Sequence, residues 1–260
     1  KEQLLVPIRG GTFQFACHKN VPCFTDCCRD LRLLLTPYDI IRLKNRLGVS
    51  SREFLGTYTV SEFDQKMGLP IVLLKMNADE GKKCLLVASE GCTIYEDRPG
   101  ACRVYPLGRA AQKGGSDEQA REHYFMVREH HCLGFREERV WTIKQWLNDQ
   151  GIDHYNEMND YWLEIITSRN PMRHQGLNDK KLQMFFMASY NLESFKEFVF
   201  SSTFLKLFEV GKELQEKIGK DEVELMKFAC RWMKFSLFGE GTLKIKDEII
   251  QTRKENTTMR

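Results

Sequence analysis

Four of the nine cysteines in this chain are crowded into twelve residues near its start. The stretch reads Cys17-His-Lys-Asn-Val-Pro-Cys23-Phe-Thr-Asp-Cys27-Cys28. A thiolate is a soft anion, and several thiolates at one point repel one another unless a cation neutralises them. Zn²⁺ and iron–sulfur clusters are the groups that proteins hold in this way. The stretch therefore predicts a thiolate metal centre rather than a group of buried free thiols.

Four further cysteines follow, so that eight of the nine lie in the first 132 residues: Cys84, Cys92, Cys102 and Cys132. Cys84 and Cys92 flank a predicted hairpin, which would return both of them to one place. Eight thiolates match two four-coordinate sites, one [4Fe-4S] cluster with one zinc ion, or a single larger cluster. Neighbouring side chains usually diverge. We therefore expect Cys27 and Cys28 either to serve different centres or to divide into one ligand and one structural thiol.

The ninth cysteine, Cys230, lies among Phe228, Trp232 and Phe235 in an amphipathic pattern, which predicts a buried core thiol. An odd number of cysteines concentrated in one half of the chain argues against a secreted disulfide scaffold. A metal site in a cytoplasmic protein explains this distribution better, so the predicted location is cytoplasmic.

Two arginines flank Cys102 and are the candidate cofactor-binding residues, Arg98 and Arg103. A guanidinium beside a thiolate centre lowers its net negative charge and can donate N–H···S contacts. Salt bridges to Glu96 or Asp97 are the alternative. Core packing is predicted for the neighbouring aromatic residues Tyr95 and Tyr105, and a supporting or surface position for the histidines beside the cysteines, His18, His130 and His131.

A longer motif surrounds Cys102, and with it the chain resembles a known family. The motif reads Gly91-Cys92-Thr-Ile-Tyr95-Glu-Asp-Arg98-Pro99-Gly-Ala-Cys102-Arg103-Val-Tyr105-Pro106. Together with the compact cysteine start, it resembles the CxxCxxCC (YkgJ-like) family of zinc- or iron-chelating cysteine-cluster proteins. The family pattern also has one cysteine before this motif and one after it, which Cys84 and Cys132 match. The resemblance spans about Cys17 to Cys132.

This resemblance implies that the eight cysteines chelate a metal, but it implies no particular activity. The chain departs from the pattern at the first spacing, where five residues separate Cys17 from Cys23. Some relatives look like the cluster-bearing part of flagellin lysine methylases. An enzyme of that kind, with a structural cluster, is therefore an alternative function, and whether the protein is an enzyme stays open.

The elements that must position the cysteines are short, whereas the rest of the chain is helical. Apolar runs predict strands at Ile71–Lys75, Leu85–Ala88 and Tyr124–Val127, and Gly108–Gln119 has the composition of a loop. Three- and four-residue spacing predicts helices that are amphipathic: Tyr38–Leu47, Ser51–Thr57, Val140–Asn148, His154–Ser168, Asp179–Tyr190, Leu192–Phe200 and Asp221–Leu237. The predicted fold is α+β, with a cysteine-cluster domain at 1–135 and a helical domain at 136–260.

Composition excludes several other classes of protein. The 260 residues carry a net charge of +3, which predicts no nucleic-acid partner. No apolar run approaches the ~20 residues of a membrane helix, and no nucleotide-binding or hydrolase motif is present. The favoured function is a metal-binding protein with an iron–sulfur cluster, most simply [4Fe-4S], or zinc, in a redox, sensing or metal-handling role. A structural zinc protein that binds a partner through its helical half, at Met184–Phe208, is the other alternative.

Overall fold

The computed structural model describes residues 3–79, 81–113, 120–168 and 176–251. Strands lie mostly in the first half and helices in the second, which confirms the predicted α+β class. The chain divides into two compact units, each discontinuous in sequence. Unit 1 contains Lys1–Leu34 and Leu74–Glu157, and unit 2 contains Leu35–Leu73 and Met158–Arg260. The boundaries of these units differ from the predicted domain boundary at residue 135, which stays a prediction.

The main sheet of unit 1 has three antiparallel strands, in the spatial order β1 (Gln3–Pro7), β8 (Ala120–Glu129) and β7 (Leu107–Lys113). The predicted strand Tyr124–Val127 is thus confirmed as part of β8. The loop predicted at Gly108–Gln119 is wrong as far as Lys113, and residues 114–119 lie outside the described part of the chain. Gly108 pairs with Phe125, and a Cβ at Gly108 would lie 2.4 Å from the Phe125 ring. Glycine here makes room for a ring and does not mark a turn.

A second ladder joins β2 (Thr12–Gln14) to β9 (Val140–Thr142). The helix predicted from Val140 therefore begins three residues later, as α4 (Ile143–Asp149), with Thr142 as its N-cap. Pairing with β2 holds Trp141 opposite Phe13, and the Trp141 indole donates a hydrogen bond of 2.9 Å to the Phe15 carbonyl oxygen. These contacts override the helical pattern at the first three residues.

The predicted hairpin around Cys84–Tyr95 is confirmed, although its strands are short: β5 (Val87–Ala88) and β6 (Gly91–Cys92). Pro99 is the N-cap residue of α3 (Gly100–Val104), which carries Cys102. Five buried residues form the apolar core of unit 1. They are Phe13 in β2, Phe15 just after it, Leu107 in β7, Trp141 in β9 and Trp146 in α4.

Unit 2 begins with two helices and a hairpin: α1 (Pro37–Leu47), α2 (Ser51–Tyr58), β3 (Thr59–Asp64) and β4 (Leu69–Leu74). The α1 N-terminus is a capping box in which Thr36 accepts from the Asp39 amide and Asp39 accepts from the Thr36 amide. Gly48 ends α1 with φ of 67°, a left-handed conformation that favours glycine. The two predicted helices and the predicted strand are therefore confirmed here.

The later helices confirm the remaining helical predictions to within two residues at each end. They are α5 (Ile152–Ile166), α6 (Asp179–Tyr190), α7 (Leu192–Ser201), α8 (Phe204–Leu207), α9 (Lys212–Lys220) and α10 (Glu222–Phe238). The sequence did not predict α8, which is a single turn, or α9, whose only buried residue is Ile218. No helix within the described ranges is both long and apolar enough to cross a bilayer.

The phenylalanines of Met184–Phe208, the candidate partner-binding region, mainly fill the interior of unit 2, so core packing accounts for most of them. Phe185, Phe195 and Phe204 are fully buried, whereas Phe200 is exposed. The partner itself stays a prediction.

Candidate metal centre

All eight predicted ligand cysteines fall within unit 1, although nearly sixty residues separate Cys28 from Cys84 in the chain. Seven are at least partly shielded from solvent and Cys17 is exposed. Cys230 lies in unit 2, inside α10, with 3% exposure, in agreement with the predicted core thiol. Burial raises the pKa of the Cys230 thiol to about 12, which keeps it neutral.

The first four cysteines are carried by a chain of tight turns. Amide-to-carbonyl bonds of 2.8–3.0 Å close these turns in succession from His18 to Cys28. Cys27 and Cys28 occupy the last one, a 3-10 turn that follows Thr25, whose φ is 70°. Turns of this kind bend the chain round a point, which is how closely spaced cysteines come to face one another. The structure thus explains why this short stretch contains four thiols.

Four of the thiols surround one narrow cavity, and we call them the first set: Cys17, Cys23, Cys27 and Cys132. The rest of its wall is formed by Phe15, Val21, Tyr105, His131 and Gly134. Cys17 is exposed as a residue, but the protein atoms around its thiol still desolvate it and raise its pKa to about 12, and the charges of the other three members add to this rise. Cys17 therefore lies within electrostatic reach of the other three thiols, and full ionisation of the set requires a cation.

A main-chain hydrogen-bond donor points at one sulfur atom of the first set. The Leu133 amide donates to Cys23 Sγ at 3.1 Å. Tyr105 packs at the edge of the unit 1 core, as predicted, and it also lines the first-set cavity beside Cys132, where its buried hydroxyl makes no hydrogen bond of normal geometry to a described residue. The pKa of the Cys132 thiol is raised, chiefly by burial. Sequence reasoning missed Leu133, because a main-chain donor leaves no side-chain signal.

The other four thiols form the second set: Cys28, Cys84, Cys92 and Cys102. The Cys84 amide donates to the Cys28 carbonyl oxygen at 2.8 Å. The pKa of Cys28 is raised by its hydrogen bond to Cys27, by burial, and by the charges of Cys27, Cys102 and Cys84. The pKa of Cys84 is raised by burial and by Cys92, which the β5–β6 hairpin returns to it as predicted.

Arg98 lies beside the second set. Burial lowers its pKa, while the charges of Tyr95, Cys92 and Cys102 raise it. Its guanidinium donates to the Tyr95 carbonyl oxygen and to the Gln150 side chain. The backbone and amide partners hold the charge in place without neutralising it, so the charge can act on the thiols.

Arg103 is buried, and its described hydrogen bonds go to main-chain oxygens. It donates to the Gln150 carbonyl at 2.7 Å and to the Glu96 carbonyl at 2.5 Å, and its guanidinium stacks on the Tyr155 ring. The bond to Glu96 thus reaches its backbone and not its carboxylate. Arg103 ties α3 to the turn before it and to the end of α4, and its predicted cofactor contact stays a prediction.

Tyr95 and the histidines differ in their positions. Tyr95 is 54% exposed with Arg98 stacked on its ring, so the prediction of core packing for Tyr95 is wrong. His18 is exposed and contacts Glu137 at 3.0 Å. His131 lines the first-set cavity, with Nε2 3.4 Å from the buried carboxylate of Glu129. Both histidines thus fit the predicted surface and supporting positions.

Replacing Arg98 with glutamine should slow alkylation of Cys92 in metal-free protein. The pKa of Cys92 is raised by burial, and Arg98 opposes that rise. Loss of the charge leaves less reactive thiolate at a given pH below the pKa. Iodoacetamide labelling followed by peptide mass spectrometry would measure the rate, and Arg98→Lys is the matched control that keeps a cation. An equal slowing in both variants would show that the hydrogen-bonded framework, and not the charge, is what matters.

The donor chemistry of both sets fits a thiolate-bound metal. Each set supplies four thiols, and seven of the eight are at least partly shielded from water. With an N–H donor at one set and a cation beside the other, they match the requirements of zinc and of iron–sulfur clusters. Within the described ranges, no three Cys, His, Asp or Glu side chains already hold their donor atoms in a metal-ligand arrangement. The thiols of each set lie near one another but do not yet have metal-ligand geometry. Binding a metal would require deprotonation of the thiols and rotation of their side chains.

The family comparison agrees with this site. Residues 16–133 match the model of the CxxCxxCC family, described as a "Putative zinc- or iron-chelating domain". All eight cysteines of the two sets lie within this span. The resemblance read from the motif is confirmed over this part of the chain, which is similar to the model of that family. No curated protein and no solved structure matches the chain.

Proposed function

We propose that this protein binds iron through its eight clustered thiolates, as iron–sulfur clusters, and acts as a redox protein in electron transfer or sensing. The observation that carries the proposal is that thiols from distant segments lie together: Cys132 joins the first cysteines round one cavity, and Cys84 and Cys102 act electrostatically on Cys28. Each thiol set supplies four sulfur ligands, the number that both [2Fe-2S] and [4Fe-4S] clusters take from a protein. The match of residues 16–133 to the model of a zinc- or iron-chelating family supports the metal-binding part of the proposal.

The surrounding residues suit a redox-active metal. When bound, an iron–sulfur cluster supplies reversible one-electron transfer. The Leu133 amide donates to Cys23 Sγ, and a hydrogen bond of this kind withdraws charge from sulfur. Arg98 places a positive charge at the second set, and the buried ring of Phe15 keeps water from the first. Charge, hydrogen bonding and solvent exposure are the quantities by which a protein adjusts a reduction potential.

Purification without oxygen, followed by metal and acid-labile sulfide analysis, tests this proposal. We expect iron with a matching amount of sulfide and a broad visible absorption that bleaches on reduction. Cys230→Ala is the control, because Cys230 is buried in unit 2 and its removal should leave the metal content unchanged. Zinc without sulfide or colour would overturn the redox role, and protein free of both metals would overturn metal binding altogether.

A further inference from the structure

We infer that the thiols form two separate four-thiolate centres, one held by the first set and the other by the second, with the Cys27–Cys28 pair divided between them. This inference rests on the proposed function, since it assigns ligands to the proposed metal centres. The number of cysteines alone allows one large cluster, two centres, or one centre with spare thiols. The tertiary structure distinguishes among these.

The first set is defined by a common cavity. Its four thiols line one narrow cavity whose remaining wall is Phe15, Val21, Tyr105, His131 and Gly134, and no member of the second set lines it. The charges of Cys23, Cys27 and Cys132 act on Cys17, and those of Cys23 and Cys27 act on Cys132. An ion bound there would therefore meet four thiols within a mainly apolar wall.

The second set is defined by backbone pairing. Residues 28–30 run alongside residues 82–84, with the Cys84 amide bonded to the Cys28 carbonyl and an isolated bridge between Arg29 and Lys83. The β5–β6 hairpin brings Cys92 back toward Cys84. Cys102 acts on Cys28 and on Arg98. These interactions link the four second-set thiols to one another and do not involve Cys17, Cys23 or Cys132.

Cys27 is the point at which the two sets meet. Its Sγ is 3.8 Å from that of Cys28, a distance that two thiolates on one tetrahedral ion would also show, at about 3.8 Å. Cys27 also acts on Cys92. The cavity decides the assignment, because Cys27 lines it and Cys28 does not. The two residues share one 3-10 turn, so a single peptide bond connects the proposed centres.

Serine variants in pairs test this division, with Cd²⁺ as the probe on reconstituted protein and elemental analysis as the readout. Cys132→Ser and Cys102→Ser should each lose the metal of one centre, about half of the total. A second substitution in the same set, Cys23→Ser added to Cys132→Ser, should cost no more metal. The cross-set pair, Cys132→Ser with Cys102→Ser, should lose both centres.

The adjacent pair gives the sharpest comparison. Cys27→Ser added to Cys132→Ser should cost no more metal, whereas Cys27→Ser added to Cys102→Ser should remove both centres. Cys28→Ser should give the opposite result, with no further loss beside Cys102→Ser and loss of both centres beside Cys132→Ser. Loss of all metal from any single variant would overturn the inference in favour of one shared or thiolate-bridged cluster. Retention of all metal in Cys132→Ser or in Cys102→Ser would overturn it in favour of spare thiols.

A measurement on the unmodified chain covers variants that do not fold. Cd²⁺ is added below saturation, and the cysteines protected from alkylation are mapped by mass spectrometry. Protection should rise together among the first-set peptides and, at a different Cd²⁺ level, among the second-set peptides. Simultaneous protection of all eight would overturn the two centres. Metal binding with the wrong grouping contradicts only this inference, whereas absence of any metal contradicts the proposed function.

Discussion

Chelating the proposed metals is expected to lower the unfolding temperature of unit 1 by roughly 10–20 °C. Thiolate–metal binding in a small domain is folding free energy, and a loss of about 5 kcal/mol corresponds to a shift of that size. The cysteine region depends on it because its regular elements are short, with only two residues in each strand of the β5–β6 hairpin. Hydrogen exchange read peptide by peptide would follow unit 1 directly, with unit 2 as the internal control.

The pH dependence of this stability should reverse on metal removal. In metal-free protein, desolvation by the surrounding protein atoms and the neighbouring thiols raise the pKa of Cys17 to about 12, above the value of about 8.5 for a free thiol. A raised pKa contributes stability that is complete below about pH 8.5 and is lost as the pH rises toward 12. With metal bound, the thiols are already deprotonated, and stability is lost as acid competes for sulfur. An unchanged melting profile after complete chelation would contradict a structural role for the metals.

Gly134→Ala is expected to destabilise unit 1 by about 3 kcal/mol and to empty the first set of metal. A Cβ at Gly134 would lie 2.5 Å from the Ala16 carbonyl oxygen and 2.8 Å from the Phe15 ring. Backbone atoms cannot yield as the end of a flexible side chain can. The Ala16 amide donates to the Gly134 carbonyl at 3.1 Å. The clash would disrupt this hydrogen bond, which holds the segment before Cys17 against the segment after Cys132.

Gly81→Ala is the matched control for this substitution. A Cβ at Gly81 meets its nearest atoms at 3.5 Å, an ordinary contact, and Gly81 also lies in unit 1. Denaturant unfolding and metal analysis of both variants give the two readouts. Wild-type stability in Gly134→Ala would show that the segment after Cys132 moves freely and does not position the first set.

Local interactions account for what could be predicted from the sequence. Thr36, Asp39 and Gly48 delimit α1 through hydrogen bonds and a left-handed cap that involve only near neighbours in the chain. The helices α6, α7 and α10 followed from apolar spacing for the same reason. The eight candidate ligands were also recognisable, because repulsion among crowded thiolates is a property of their number and spacing and needs no knowledge of the fold.

The sequence by itself thus determined the α+β class, most of the helices and the identity of the candidate ligand cysteines. Only the tertiary structure decided which thiols lie together, because the grouping of Cys132 with Cys17, and of Cys84 with Cys28, depends on pairing between distant segments. It also decided that Gly108 continues a strand and that Val140–Thr142 pairs with β2. Tyr105 and Cys132 line the same cavity for the same reason. Each of these outcomes depends on a partner that is remote in the chain, and such a partner leaves no signal in local composition or spacing.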